Sequence, residues 1–155
     1  LNASINIKID KIDKFEYLQD FISKIHLGDG RILIKNFNTQ WNNSVLIKSN
    51  EIEFLNDIDG KKLVGEIIFN FEDIEKFFRY FQIKRNYRDV FETIKLDFVY
   101  DLTLDKLNMN NLRIDNKSFK KIDSFLNEYN KDKSNSFNKV TIRNFIKEFF
   151  QIYAG

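Results

Sequence analysis

The sequence contains no cysteine and no proline, and only five of its 155 residues are glycine. Without cysteine there can be no disulfide, no thiolate nucleophile and no cysteine-based zinc site. The glycines are too scattered to form a phosphate-binding loop. The 25 basic and 23 acidic side chains give a net charge of only +2, whereas dedicated nucleic-acid binders carry a much larger basic excess. We therefore expect no nucleic-acid partner.

Long apolar runs are missing as well. No stretch approaches the roughly 18 consecutive apolar residues of a membrane-spanning helix, and no signal peptide is visible in a chain that begins at Leu1. We expect one domain, residues 1–155, cut from a longer protein. With 43% hydrophobic residues and 17 phenylalanines, a chain of this length can form a core without disulfides or metals.

No residue pattern indicates a catalytic or metal site. His26 is the only histidine and has no partner in a recognisable motif, so we interpret it as a surface or capping residue. Asp57, Asp59, Asp101 and Asp105 lack the spacing and the closing glutamate of a calcium loop, which favours solvated carboxylates. We therefore predict a protein that is not an enzyme and that needs no cofactor or metal.

Alternation of apolar and polar residues predicts the strands. It covers residues 4–10, 31–37 and 107–114, and it is longest over residues 94–105. There the apolar side chains of one face form a stripe roughly 35 Å long, made of Ile94, Leu96, Phe98, Tyr100, Leu102 and Leu104.

Residues 44–55 and 61–71 predict a hairpin with its turn at residues 57–60. The alternation slips near residues 48–50 and again at Asn110-Asn111, and each slip predicts a β-bulge or bend.

Apolar spacings of three and four predict four helices. The first carries Ile12, Phe15, Leu18, Phe21, Ile22 and Ile25 and ends near Gly28 and Gly30, which we interpret as a C-cap and a turn. The second, over residues 73–83, is capped by Asp73, and the third by Ser118. The last carries Ile142, Phe145, Ile146, Phe149 and Tyr153. The predicted fold is α+β: a meandering, strongly twisted antiparallel sheet of about six strands, with amphipathic helices on one face and a helical C-terminal end.

Two features allow two interpretations each. The apolar stripe either packs under the chain's own helices or stays open as a trough for acyl chains. The basic cluster of Lys84, Arg85 and Arg88 either contacts phosphate groups or forms a solvated turn that pairs with neighbours such as Asp89 or Glu92.

The segment GEIIFNFEDIEKFFRYFQIKRNYRDVFETIKLDFVYDLTLDKL at residues 65–107 resembles the C-terminal region of AsmA-like proteins. The resemblance is carried by Phe78-Arg79-Tyr80-Phe81-Gln82, by the basic turn at residues 85–88, and by Phe98-Val99-Tyr100-Asp101-Leu102. Leu112-Arg113-Ile114-Asp115, Phe125-Leu126-Asn127 and the closing Phe-rich helix are also similar. The resemblance covers residues 60–153 and includes no catalytic signature.

This resemblance implies a long twisted β-groove, anchored in the inner membrane, that crosses the periplasm and carries phospholipid acyl chains towards the outer membrane. It shifts the interpretation of the apolar stripe towards an open trough. The chain would be the C-terminal segment of such a repeated β-groove protein. The groove candidates are Phe69, Leu96, Phe98, Tyr100, Leu102 and Leu104.

The implied contacts follow from the same resemblance. Arg79, Arg85 and Arg88 are candidates for contact with lipid head groups or a partner. The C-terminal helix, with Ile142, Phe145, Ile146 and Phe149, would cap the groove. The expected partners are phospholipid, a membrane or envelope protein at the C-terminal helices, and upstream repeats of the same chain. The alternative is a structural module for outer-membrane protein assembly, whose sheet is fully covered and whose edge strand recruits a partner.

Overall fold

The computed structural model describes residues 2–11, 17–58, 60–132 and 138–155. Within these ranges the chain forms one antiparallel sheet of seven strands in sequential order, with three α-helices. The strands are β1 (Ala3–Lys11), β2 (Leu18–Gly28), β3 (Arg31–Trp41), β4 (Val45–Asp57), β5 (Gly60–Phe71), β6 (Thr93–Asp101) and β7 (Lys106–Ile114). The helices are α1 (Ile74–Phe81), α2 (Lys120–Lys131) and α3 (Lys139–Ala154), with a 3-10 turn at Arg85–Tyr87. The predicted α+β fold is confirmed, with seven strands in place of about six.

The predicted helix over residues 12–25 is wrong in its described part, because the chain forms β2 from Leu18 onwards. Residues 12–16 lie outside the described residues. Asp20 has a φ of 52° and lies at a register shift between β2 and β3, which marks a β-bulge. Because of this extra residue, Leu18 and Phe21 lie on the same face of the sheet although they are three positions apart. The helix-like spacing of three between Leu18 and Phe21 therefore comes from a bulge.

The turn after β2 also differs from the prediction. Asp29 and Gly30 have φ values of 52° and 73°, which is the geometry of a two-residue hairpin turn and not of a helix C-cap. β3 then continues to Trp41, which pairs with Val45 of β4. The polar turn predicted for residues 38–43 is therefore shorter and follows Trp41, because pairing with β4 holds the polar residues before it in the sheet.

The central hairpin and the helix after it form as predicted, although Asp59 in the hairpin turn lies outside the described residues. β4 pairs with β5, and their register shifts between Lys48 and Ile52, where the alternation slips. α1 begins after Asp73, whose carboxylate accepts a hydrogen bond from the Lys76 N–H at 2.9 Å. The second predicted bulge lies at Asn111 in β7, which has a φ of 51°.

β6 is shorter than the alternating pattern predicts. It ends at Asp101, whose Oδ1 accepts hydrogen bonds from the N–H groups of Thr103 and Leu104, both at 2.9 Å. This side-chain turn takes the backbone out of the sheet. Leu102 and Leu104 therefore lie in the turn and do not extend the apolar stripe, so their placement in the groove is wrong.

The caps of the last two helices also depart in part from the sequence pattern. Ile114 and Lys117 form an antiparallel bridge, so the chain is still turning at Ser118 and α2 starts only at Lys120. Ser118 therefore does not cap α2, contrary to the prediction. The Oδ1 of Asn138 accepts hydrogen bonds from the second and third N–H groups of α3 at 2.9 and 3.0 Å.

The main core lies between the helices and the β5–β7 part of the sheet. Phe78, Ile114, Ile122 and Phe150 are at most 1% exposed and belong to one apolar cluster. α2 contacts β7, and α3 contacts α1 and α2. Of the helices in the described ranges, none has the length and apolar character needed to cross a membrane.

Candidate apolar ligand site

Two cross-strand rows of mainly apolar residues run across all seven strands on one face of the sheet, which we call the apolar face. Their members on each strand are two residues apart, so both rows point to the same side. At about 4.8 Å between strands, each row spans roughly 29 Å. The first row is Ile5, Ile25, Ile34, Ile52, Gly65, Phe98 and Met109. The second row is Ala3, Leu27, Ile32, Phe54, Leu63, Tyr100 and Leu107.

The described helices cover only one end of this face. They pack against the β5–β7 side, and α1 also reaches Trp41 at the end of β3. Met109 at the covered end of the first row is 5% exposed, whereas Ile5 at the other end is 52% exposed. Ile32 in the second row is 36% exposed. We call the part of the apolar face on β1–β4 that these helices leave uncovered the trough; it is closed at Ile52 of β4, which is 8% exposed.

An apolar cavity lies at the covered end, between the sheet and α3. Its volume is about 270 Å³ and it is partly open to solvent. β5, β6 and β7 form one wall with Phe69, Phe71, Ile94, Leu96, Leu107, Met109 and Leu112. The helices form the other wall with Phe77, Tyr129, Ile142, Phe145, Ile146, Phe149 and Phe150.

Six residues that the sequence singled out meet in this cavity. They come from two separate predictions, the groove and the capping helix, and they face each other across the cavity. They are Phe69, Leu96, Ile142, Phe145, Ile146 and Phe149. Phe98 and Tyr100 lie farther along the apolar face, where each is half-buried and pairs with a residue of the cavity wall, Met109 and Leu107 respectively.

Several wall residues were not predicted as part of a site. Leu112 and Met109 are 2% and 5% exposed. Alternation gives Met109 the same face as Leu107, and the bulge at Asn111 brings Leu112 to that face as well. Phe150 is 1% exposed and stacks on Phe91 at 5.9 Å between ring centroids. The amphipathic stripe of α3 places it beside Phe149. Strand alternation and helical spacing therefore indicate which side chains share a face. Neither indicates which helix covers which strand.

The three arginines do not border the cavity. Arg79 and Arg85 are exposed on α1 and in the 3-10 turn. The Arg88 guanidinium donates to the Ile83 carbonyl at 2.9 Å, pairs with Glu75 at 3.2 Å and lies 5.9 Å from the centre of the Phe78 ring. Arg88 thus holds the 3-10 turn against α1, with Glu75 as its acidic partner in place of Asp89 or Glu92.

Two tyrosines at the site have raised pKa values. The Tyr100 hydroxyl donates to Asp105 Oδ1 at 2.5 Å, and this hydrogen bond, together with burial, raises the pKa of Tyr100 to about 12. Burial, and then the nearby charge of Asp132, raise the pKa of the Tyr129 hydroxyl in the cavity wall. Both groups therefore stay protonated and neutral at pH 7.

Among the described residues that form the cavity wall, none has a charged side chain, and the Tyr129 hydroxyl is the one polar side-chain group. In the part of the chain that the structure describes, no cluster of histidine and acidic side chains is arranged to hold a metal ion. The arrangement is therefore suited to retaining hydrocarbon by desolvation and packing.

Comparisons with models of protein families, with curated proteins and with solved structures find no match to this chain. The AsmA-like resemblance therefore remains a prediction from the sequence.

Proposed function

We propose that this chain binds phospholipid acyl chains on its apolar face without catalysing a reaction. It would do so as a segment of a longer AsmA-like protein that is anchored in the inner membrane and transports lipid through the periplasm to the outer membrane. The observation that carries the proposal is the mismatch between a face that is apolar across all seven strands and described helices that cover only its β5–β7 end.

The energetics favour an apolar ligand at this face. Exposed apolar surface gains about 25 cal/mol for each Å² removed from water. Ile5, Ile9 and Ile32 are 52%, 39% and 36% exposed, and their neighbours in the sheet are also apolar. An acyl chain lying across them would remove water from several side chains at once. A contiguous apolar surface of this kind typically marks a binding site.

Native mass spectrometry of the gently purified chain, together with uptake of a fluorescent phospholipid, tests the proposal. We expect co-purified phospholipid and saturable uptake. The variant Ile32→Asp puts a charge in the trough and should weaken uptake several-fold. Val90→Asp is the matched control, because Val90 is 74% exposed and lies outside the sheet. Absence of both bound lipid and uptake would refute the proposal.

A second candidate function is strand addition at β1, and the difference between the two sheet edges favours it. Along β7 the edge is occupied by α2 and by the Asn130 side chain. Along β1, no strand in the described ranges pairs with the outer edge. An open edge can accept an extended segment, either an upstream repeat of the same chain or a partner in outer-membrane protein assembly.

Hydrogen exchange distinguishes an open edge from a protected one. If β1 is an open edge in the isolated chain, its outward-facing amides should exchange much faster than those of β7. Pairing with an added strand would then slow them. Protection of β1 equal to that of β7 in the isolated monomer would argue against this second function.

A further inference from the structure

We propose that the cavity under α3 receives the methyl end of a single acyl chain, about nine carbons long, and that its size sets a preference for chain length. This inference rests on the proposed function and narrows it: the trough would hold the rest of the lipid, and the cavity would hold one chain end. Its support comes from the chemistry of the wall, the volume of the cavity and the position of its opening.

The chemistry of the wall selects hydrocarbon. A head group would lose its hydration in the cavity without gaining an ionic partner from the wall residues that the structure describes, none of which is charged. The methyl end of an acyl chain has no hydrogen bonds to water, so it loses nothing when it enters the cavity. The wall residues also gain from it, because side chains that line an empty space lack packing partners on that side.

The volume of the cavity limits the length of acyl chain that it can hold. Apolar cavities of about 150 Å³ already bind a guest the size of benzene. A cavity of about 270 Å³ is nearly twice the size of one that binds the six carbons of benzene, so it holds roughly nine to eleven carbons. A chain end of about nine carbons therefore fills the cavity, and further carbons must extend beyond it.

The opening faces the beginning of α3. Phe149 and Phe150, deep in the cavity, are 4% and 1% exposed, whereas Ile142, Phe145 and Tyr129 are only half-buried. On the sheet side, Leu107 of the cavity wall pairs with Tyr100, which continues the second row towards the trough. A chain that enters here can keep its remaining carbons on the apolar face.

The single tryptophan reports on occupancy. Trp41 is the only tryptophan in the chain, and its ring centroid lies 5.4 Å from that of Phe77 in the cavity wall. A brominated chain end inside the cavity would come close enough to quench its fluorescence. A brominated chain end at the Ile32 end of the trough would lie roughly 25 Å from Trp41 along β3 and would quench it weakly.

The experiment measures quenching and affinity for fatty acids of about six to about sixteen carbons, brominated near the methyl end. Each methylene buried contributes a gain of about fourfold in affinity, from about 0.8 kcal/mol. We expect this gain up to about nine carbons and a shallower dependence beyond. The variants Leu112→Phe and Ile146→Phe reduce the cavity from opposite walls, and thermal unfolding checks that each still folds.

The outcomes separate this inference from the proposed function. If the cavity-reducing variants lose the quenching and the chain-length preference while Ile32→Asp retains them, the inference is supported. If either folded variant binds and quenches like the parent chain, acyl chains lie only in the trough, so the inference fails and the proposed function stands. If no fatty acid or phospholipid binds to the parent chain, both fail.

Discussion

Asn130 forms with Met109 both of the hydrogen bonds that a further strand would form. Its Oδ1 accepts from the Met109 N–H at 3.0 Å, and its Nδ2 donates to the Met109 carbonyl at 2.8 Å. The ammonium group of Lys106 donates to the Asn130 carbonyl at 2.8 Å, which ties the end of α2 to the start of β7. One side-chain amide thus satisfies this part of the sheet edge and opposes pairing with another chain.

Replacing Asn130 by alanine should lower the free energy of unfolding by about 1–3 kcal/mol, because it leaves the part-buried N–H and carbonyl of Met109 without partners. Urea unfolding measures the effect. Asn127→Ala, at an exposed position of the same helix, is the control and should change stability by less than about 0.5 kcal/mol. Equal stabilities of the two variants would show that the edge contact contributes nothing.

The turn after β6 depends on Asp101, which is 8% exposed and accepts two backbone hydrogen bonds. Asp101→Ala should cost about 1–3 kcal/mol, since both N–H groups lose their acceptor. Asp101→Asn keeps an oxygen in the same place and should recover most of the loss. The stability of the three proteins in urea tests this, and an asparagine variant as unstable as the alanine variant would contradict the turn assignment.

Gly65 interrupts the first apolar row because the sheet leaves no room for a side chain there. A Cβ would lie 2.9 Å from the Glu51 carbonyl oxygen and 3.2 Å from the Ile52 Cα. Gly65→Ala should therefore destabilise the chain by about 1–3 kcal/mol. At Gly28 the nearest atoms are side-chain ends that can move, so Gly28→Ala is the control with the smaller loss. The ranking of the two melting temperatures tests the prediction.

The hydrogen bond between Tyr100 and Asp105 should make stability depend on pH at the alkaline end. The pKa of folded Tyr100 is about 12, against an ordinary value of 10.0. The protonated form is thus favoured by folding, so its contribution is complete below about pH 10 and is lost as the pH rises to about 12. Tyr100→Phe removes this contribution.

Unfolding of the parent chain and of Tyr100→Phe, compared at several pH values between about 9 and about 12, measures the difference. We expect the stability gap between the two proteins to shrink as the pH rises. A gap that is constant over this range would mean that Tyr100 ionises normally. The ultraviolet titration of phenolate in the two proteins gives an independent check, because the parent chain should show one additional late-titrating tyrosine.

The amount of the fold that could be predicted from sequence depends on how local its determinants are. The hairpin of β4 and β5 and the cap of α1 follow from alternation, a turn and an aspartate, all within a few residues. β2 could not be predicted in this way. Its bulge at Asp20 converts a period of two into spacings of three and four, and only pairing with β1 and β3 distinguishes the result from a helix.

The candidate site shows the same limit. The sequence identified the apolar faces that carry Phe69, Leu96 and the stripe of α3, because each is a local pattern. That these faces enclose a cavity while β1–β4 keep an uncovered face depends on which strands the helices cover. This is a tertiary relationship, set by chain topology and by the loop lengths between elements. The placement of Leu102 and Leu104 on the apolar stripe is wrong because the strand ends before them, at Asp101.

Asn36 has a left-handed backbone conformation, with a φ of 52°. This conformation affects how the chain tolerates insertions and deletions. Asn36 is the extra residue by which β3 changes its register with β2. Deleting it would rotate the rest of β3 by half a turn and carry Phe37 and Trp41 to the opposite side of the sheet. Trp41 would then lose its ring contacts with α1. Length changes within this strand should therefore be tolerated when two residues are added or removed together, and not when one is.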